Sequence, residues 1–321
     1  MQNTIHYNQR LKINELNNTT NLEEAIKNAE HLYISNLLGD EELLSSINSY
    51  LKKYNKKLWL SLNKSTEMNQ ENLKQLRYLT NLKKLKIIVF NGFIEDLSEL
   101  SHIDDLEEFT IYNNVKKGIS LVPLAKFKNL SSLSLYTGLT IKQYAVLNTF
   151  EKLEHLSARE IDFSKLNNLP IKELTVNSKF IHSDLIAEKF PDIEYISLQN
   201  CKDVSIENIA SLPQLSDVRL RYMPHITRLT SFKNKENIFH LECVHLKNLE
   251  NIEALFELKQ LKYLMITDLE KLKAEDFYRL KELPNLKVAY ITFKSAKEND
   301  KFITFANAHN WIYKQPSLVG G

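Results

Sequence analysis

The sequence has little of the residues and motifs on which several classes of protein depend. Its 321 residues include only two cysteines, Cys201 and Cys243, which are too few for a disulfide-rich secreted domain. No two of its six glycines are spaced as a phosphate-binding loop, so the P-loop and dinucleotide-binding motifs are both absent. The common nucleotide-binding motifs are therefore excluded, and we expect no cofactor.

Long apolar runs and an excess of one charge are also missing. No stretch approaches the roughly 18 consecutive apolar residues of a membrane-spanning helix, and the first residues contain no apolar core of a secretory signal. Lysine and arginine number 42 against 40 for aspartate and glutamate, which gives no electrostatic case for nucleic acid or an anionic membrane. We therefore expect a soluble cytoplasmic protein with neither of those partners. The content of lysine, asparagine and isoleucine favours a bacterial source.

What the chain does contain is a repeated apolar pattern. From Ile94 to Phe109 an apolar residue stands at every third position, and the next step, to Ile111, is only two. A helix needs steps of three and four and a strand steps of two, so this pattern predicts a tight coil that leads into a short strand. Its core, L-x-x-L-x-L, recurs along the chain with these last members: Ile87, Ile111, Leu135, Ala158, Val176, Leu198, Leu220, Cys243, Ile266 and Ile291.

The repeat length points to a known class of solenoid. By subtraction of those positions the repeats are 18 to 25 residues long, almost wholly within the ~20–29 of leucine-rich repeats. The chain resembles that family over roughly residues 30–294, and its period-three lead-in is similar to the short class of phosphatase-regulatory and internalin-type proteins. The resemblance implies an α/β fold, a curved horseshoe-shaped solenoid with a parallel β-sheet on the concave face and short helices or 3-10 turns on the convex face. Stacking would bury the leucines that one coil cannot bury alone.

The ends of the repeat pattern predict three parts. We expect an N-terminal cap over residues 1–30, the leucine-rich repeat solenoid over 31–294, and a C-terminal cap helix and tail over 295–321. Phe302, Phe305, Ala306 and Trp311 would form the apolar side of that terminal helix.

Local signals predict several further features. Thr20-Asn-Leu-Glu23 has the pattern of a capping box, and Asp40 is placed to cap a second helix. His31–Ser35 and Leu58–Leu62 alternate as strands do. The repeat that ends at Val176 is short, which predicts a kink or an abbreviated coil before it. The family usually carries asparagine three residues after the last apolar position, where only Asn114 and Cys201 fit here, so we expect no regular asparagine ladder.

Side chains that flank the buried strand positions should face the concave side. In the C-terminal half many of them are aromatic or arginine, the types enriched at interface hot spots. The predicted partner-binding residues are Arg159, Tyr195, Arg219, Arg221, His240, Glu242, Tyr263, Met265 and Tyr290. Asp217 and Glu242 should hold the guanidinium of Arg219 extended, and Tyr112 and Tyr136 should lie at the edge of the surface.

The same rows contain residue types that serve catalysis or bind metals. His155 should lie beside Glu173, and His240 beside Asp217. Either pair could act as a general base with the carboxylate that orients it. Ser157 and Ser197, one row away, are conceivable nucleophiles. Ion pairs between strands explain the same residues, and an open sheet has nothing to exclude water. The segment His240-Leu-Glu-Cys243-Val-His245 has metal-ligand types, but alternate strand positions do not converge, so we expect no metal site.

The sequence therefore predicts a non-enzymatic protein-protein interaction module that binds a partner protein on its concave face. One alternative is an inhibitor or immunity-type protein that masks a bacterial toxin or enzyme. A second alternative is a hydrolase that uses the Asp217-His240 pair.

Overall fold

The computed structural model describes residues 10–12, 22–35, 40–62 and 68–313. The chain divides into two compact units, Met1–Ala158 and Arg159–Gly321. In each unit, most successive parallel strands are joined by short helices or 3-10 turns. Across the described ranges, no helix combines the length and the apolar character needed to cross a membrane.

The first unit is a parallel sheet whose strands pair in chain order. Its strands are β1 Arg10–Lys12, β2 His31–Ser35, β3 Leu58–Leu62, β4 Leu82–Ile94, β5 Glu108–Val115, β6 Ser132–Leu135 and β7 His155–Asp162, the last of which runs past the division between the units. Its helices are α1 Leu22–Asn28, α2 Glu41–Lys53, α3 Gln70–Leu73 and α4 Ile141–Leu147, with 3-10 turns at Lys74–Tyr78, Ser98–His102 and Val122–Leu124.

The second unit repeats this arrangement. Its parallel strands are β8 Glu173–Ile181, β9 Tyr195–Gln199, β10 Asp217–Arg221, β11 His240–Val244, β12 Tyr263–Leu269 and β13 Val288–Phe293. Its helices are α5 Ile186–Lys189, α6 Ile206–Ala210 and α7 Ala296–Ala308, with 3-10 turns at Phe163–Lys165, Ser183–Leu185, Glu253–Glu257 and Ala274–Glu282.

The apolar repeat positions form the core of both units. Leu133, Leu135, Leu264 and Ile266 are each 0 % exposed, and all members of the L-x-x-L-x-L segments are buried. The parallel register places like positions of neighbouring strands side by side, so each leucine packs against its counterparts. The predicted α/β fold, with one parallel strand per repeat and short helices or 3-10 turns between most strands, is confirmed; the connection between β10 and β11 contains neither.

Most local predictions also hold. Strands β2 and β3 have the predicted bounds, and Asp40 caps α2 by accepting a hydrogen bond from the Leu43 N–H at 3.0 Å. On the terminal helix α7, Phe302 and Ala306 are fully buried, but the helix ends at Ala308, so the prediction that Trp311 belongs to it is wrong. Thr20 of the predicted capping box lies outside the described residues. The division into two caps and a solenoid stays a prediction; β1 falls in the stretch predicted as the first cap and pairs with β2.

The short repeat is built around aromatic rings. Strand β7 ends at Asp162 and β8 begins at Glu173, the shortest connection between consecutive strands of the described residues, with one 3-10 turn at Phe163–Lys165, so the predicted abbreviated coil is confirmed. The ring of Phe163 lies edge-on to Phe180 and Phe190, with centroids 4.9 and 5.4 Å apart. All three rings are fully buried. The three rings therefore pack together in the core at the short repeat.

Candidate functional site

Strand register gathers most of the predicted binding residues on one face of the second unit. Tyr195, Asp217, His240 and Tyr263 lie side by side in one row of the sheet. The neighbouring row contains Ser197, Arg219, Glu242, Met265 and Tyr290. We call this surface of β9–β13, opposite the buried leucines, the open face. Arg159 is exposed on β7, two strands before β9, and is not part of this group.

Two buried carboxylates organise the open face. Asp217 binds Arg219 through both oxygens, with its Oδ1 and Oδ2 each 3.1 Å from a guanidinium nitrogen. Glu242 Oε1 lies 2.8 Å from Arg221 Nε and 2.7 Å from Arg221 Nη2, and its Oε2 lies 4.0 Å from Arg219 Nε. Arg219 is therefore held between the two predicted carboxylates. The stronger contact of Glu242, to Arg221, was not foreseen.

Aromatic rings and one methionine flank these ion pairs. The guanidinium carbon of Arg219 lies 4.9 Å from the ring centroid of Tyr195, a cation–π distance. The His240 and Tyr263 rings lie 4.3 Å apart, and the Tyr263 hydroxyl lies 3.9 Å from the Met265 sulfur. Met265 is only 8 % exposed, so it forms part of the floor of the face. The side chains of this surface are thus held in place by their neighbours.

The ion pair between Asp217 and Arg219 on the open face stays charged. Burial opposes ionisation of Asp217, but hydrogen bonds and positive charge from His240 and Arg219 outweigh it and lower the pKa of the carboxyl. Burial likewise acts to lower the pKa of the Arg219 guanidinium, while hydrogen bonds and charge from Asp217 raise it above its usual value. Asp217 and Arg219 therefore remain an ion pair at neutral pH.

This pKa shift predicts a dependence of stability on acid. Because the folded pKa of Asp217 lies below the ~3.9 of an unfolded aspartate, its ionised form stabilises the fold above about pH 4, and this contribution is lost as the pH falls through the folded value. Wild type should exceed Asp217→Asn in the free energy of unfolding at pH 7, and the difference should shrink below pH 4 in urea titrations. Exposed Asp203→Asn should show little difference at either pH. A constant difference for Asp217→Asn would contradict the argument.

The pair predicted for general-base chemistry is present. His240 Nδ1 lies 3.1 Å from Asp217 Oδ2. The other ring nitrogen, Nε2, is buried and has no hydrogen-bond partner among the described residues, so none of them is poised to exchange a proton with it. Of the second predicted pair, His155 lies in the first unit and Glu173 in the second.

The residues on and just after β11 that could ligate a metal contact different neighbours. His240 contacts Asp217, the Cys243 thiol is buried in the core, and His245 Nδ1 lies 2.8 Å from Asp268 Oδ2. Within the ranges that the structure describes, no group of three or more His, Cys, Asp or Glu side chains is placed to hold a metal ion.

Cys201 occupies the position where the family usually carries asparagine. Its Sγ lies within hydrogen-bonding distance of the carbonyl oxygens of Val176, at 3.5 Å, and Gln199, at 3.4 Å. Burial raises the pKa of this thiol to about 12, so it remains protonated and able to donate. Cys201 thus contacts backbone carbonyls in the turn, the role that the resemblance gives to asparagine.

No protein-family model and no curated protein matches this chain. Among solved structures, a leucine-rich repeat protein of Leptospira interrogans is 15% identical, with a TM-score of 0.43 over 91% of each chain. An internalin of Listeria monocytogenes is 14% identical, with a TM-score of 0.39 over 92% of this chain and 82% of that one. The leucine-rich repeat ectodomain of a plant receptor kinase from Arabidopsis thaliana is 14% identical, with a TM-score of 0.39 over 82% of this chain and 34% of that one.

The repeat itself decides the fold. Every L-x-x-L-x-L segment from Leu82 to Ile291 buries its three apolar residues and supplies one strand of a parallel sheet, from β4 to β13. The chain has the leucine-rich repeat fold. In this fold the side chains of the open face alternate along each strand with the buried apolar residues, so they point away from the core.

Four successive strands of the second unit, β9 to β12, end in a feature that alternation along the strands does not predict. The residue two places after the last apolar position has a left-handed backbone, which is uncommon for residues other than glycine. These residues are Asn200, Tyr222, His245 and Asp268, with φ between 55° and 61°. Asparagine and aspartate tolerate this conformation, so Asn200 and Asp268 could have indicated a left-handed residue at this position. Tyr222 and His245 give no such indication.

Three of these strand-end side chains, Tyr222, His245 and Asp268, border a hollow of about 400 Å³ beside the open face. Tyr222 stacks on His245, with centroids 4.5 Å apart and planes 19° from parallel, and His245 in turn contacts Asp268. Arg221, Glu242, Met265 and Tyr290 of the open face also line the hollow. The predicted binding surface therefore includes a concave site that alternation along the strands did not reveal.

Proposed function

We propose that this chain is a non-enzymatic protein-binding module whose partner docks on the open face, the concave side that the leucine-rich repeat fold implies. The observation that carries the proposal is the line of partly exposed tyrosines and arginines held on β9–β13 by two buried carboxylates. Tyrosine and arginine dominate the binding energy of many protein interfaces. A solvated strand face does not require them.

The arrangement of these side chains favours binding. Asp217 and Glu242 fix the two guanidinium groups, and Tyr195 stacks against one of them. Side chains that are already ordered lose little entropy when a partner arrives. Their large planar surfaces then bury much area for each rotamer that is fixed.

The corresponding strands of the first unit carry less of this chemistry. Lys84 contacts Glu108 and lies 4.0 Å from the ring of Trp59, and small serines occupy the following strand positions. Tyr112 and Tyr136 stack on each other with centroids 3.8 Å apart. We therefore place the energetic centre of the interface between Tyr195 and Tyr290; that Tyr112 and Tyr136 form its edge stays a prediction from the sequence.

Alanine substitution should rank the two regions. We expect Arg221→Ala or Tyr263→Ala to weaken binding by about 1–3 kcal/mol and Lys84→Ala or Ser134→Ala by less than about 0.5 kcal/mol. The measurement is calorimetric titration with the partner recovered by pull-down from native cytosol, after circular dichroism has shown that each variant is folded. A reversed ranking, or a complex in which the helix-bearing side is buried, would contradict the proposal.

A sharper form of the proposal is an inhibitor or immunity-type protein of the bacterial cytoplasm that masks a toxin or enzyme. Two features support this form: the content of lysine, asparagine and isoleucine, which favours a bacterial source, and an open face suited to covering a partner. If the recovered partner is an enzyme, stoichiometric addition of the purified chain should abolish its turnover. Undiminished turnover in a formed complex would leave the binding role and remove the inhibitory one.

The contact between Asp217 and His240 keeps a hydrolase as the second candidate. This candidate predicts turnover in a broad esterase and phosphatase panel that is lost in His240→Ala. Such turnover, together with repeated pull-downs that recover nothing, would replace the binding proposal.

A further inference from the structure

The hollow beside the open face lies wholly within the second unit, at the ends of β10–β13. The Arg221–Glu242 ion pair lies on one part of its lining and the His245–Asp268 pair on another. Met265 contributes thioether surface at its floor. With a volume of about 400 Å³, it falls in the size range of pockets that hold small molecules or single side chains.

The charge of the lining is unbalanced. Glu242 and Asp268 each contribute −1, and Arg221 contributes +1, so these three side chains sum to −1. The positive charge of Arg221 is already engaged, because its Nε and Nη2 both lie within 2.8 Å of Glu242 Oε1. An incoming carboxylate would have to compete with Glu242 for that guanidinium. An incoming cation would meet a net negative site.

Asp268 is the carboxylate best placed to receive a cation. His245 Nδ1 and the Thr267 hydroxyl both lie 2.8 Å from Oδ2, whereas no contact of Oδ1 is seen within the described residues. Asp268 is also exposed, while Glu242 is only 6 % exposed. A ligand can therefore reach Asp268 Oδ1 without breaking either of the contacts that hold its carboxylate.

The rest of the lining suits the stem of a long basic side chain. Met265 and Val244 provide apolar surface, and Tyr222 and Tyr290 provide aromatic rings. Lysine and arginine bury their methylene stems on such surfaces, and their charged heads are attracted to aromatic faces. Neither a purely apolar nor an acidic group would use all of these features.

We propose that the hollow receives a lysine or arginine side chain of the partner protein, with the charged head at Asp268 and the stem along Met265. This inference rests on the proposed binding function and adds the chemistry of the partner: it presents a basic side chain to the ends of β11–β13. The Arg221–Glu242 pair then borders the basic side chain and remains intact.

The test uses amino-acid derivatives as probes of the full chain by NMR titration. N-acetyl-arginine amide and N-acetyl-lysine amide should give saturable shifts at the backbone amides of Val244, Thr267 and Thr292, with millimolar dissociation constants. N-acetyl-glutamate amide and N-acetyl-norleucine amide should give no saturable shifts there. Saturation by the acidic probe, or by neither basic probe, would overturn the inference.

A matched pair of variants locates the charge. Asp268→Asn should raise the dissociation constant of the basic probe at least fivefold, while Glu270→Gln should leave it unchanged, because Glu270 contacts Lys294 instead. Asparagine adopts the left-handed backbone of position 268 readily, as Asn200 does, so the fold should persist. Equal affinities for the two variants would overturn the inference. Partner binding that depends on Arg221 and Tyr263 but not on Asp268 would also overturn the inference, but it would support the proposed binding function.

Discussion

Replacing Phe163 with alanine should lower the free energy of unfolding of the second unit by about 3–5 kcal/mol. The Phe163 ring is 0 % exposed and packs edge-on against Phe180 and Phe190 at 4.9 and 5.4 Å. The repeat around it is the shortest of the series, with only a 3-10 turn between β7 and β8. Few neighbouring atoms can therefore move in to fill the space of the missing ring, so the full cost of the cavity should be felt.

The measurement is urea unfolding of the full chain, with hydrogen exchange at the amides of β8 and β9 to show where stability is lost. Phe239→Ala is the matched control, because that ring is 41 % exposed and should cost less than about 0.5 kcal/mol. Phe163→Leu should fall between the two. If Phe163→Ala costs no more than the control, the three rings do not form the core of the short repeat.

The fold could be predicted because its information is local and repeated. Each strand carries its own buried positions, and a parallel stack places the same positions of every repeat side by side, so Leu82 to Ile291 could be followed without long-range knowledge. The left-handed strand ends could be predicted only in part. At Tyr222 and His245 the backbone is set by the neighbouring strand: the Tyr222 N–H donates to the Val244 carbonyl at 2.9 Å, and the His245 N–H to the Thr267 hydroxyl at 3.3 Å. Nothing in the side chains themselves signals that conformation.

The rows of the open face followed from strand alternation, but the contacts within them did not. Alternation placed Arg219, Arg221 and Glu242 on one face, yet it could not choose which arginine would take the better hydrogen bonds of Glu242. That choice depends on side-chain rotamers. The hollow was missed for a different reason: Tyr222, His245 and Asp268 stand where the left-handed turn changes the side-chain direction, and alternation no longer applies.

Replacing Leu135 with alanine should lower the free energy of unfolding by about 2–5 kcal/mol. Leu135 is 0 % exposed and lies in register with Ile111 on one side and Ala158 on the other. The small side chain of Ala158 offers little volume that could shift into the space left by the leucine. In a stack of repeats each coil is stabilised mainly by its neighbours, so the damage should be centred on β5, β6 and β7.

Native-state hydrogen exchange separates a local loss from a global one. In Leu135→Ala, protection should fall most at the amides of β5 to β7 and least at those of β12 and β13, because the cost enters through nearest-neighbour contacts. Ser134→Ala, one residue earlier and on the other face of β6, is the control and should leave protection almost unchanged. Equal loss of protection from β5 to β13 in one sharp transition would mean that the coils unfold as a single unit. Stability would then no longer be a sum over neighbouring coils.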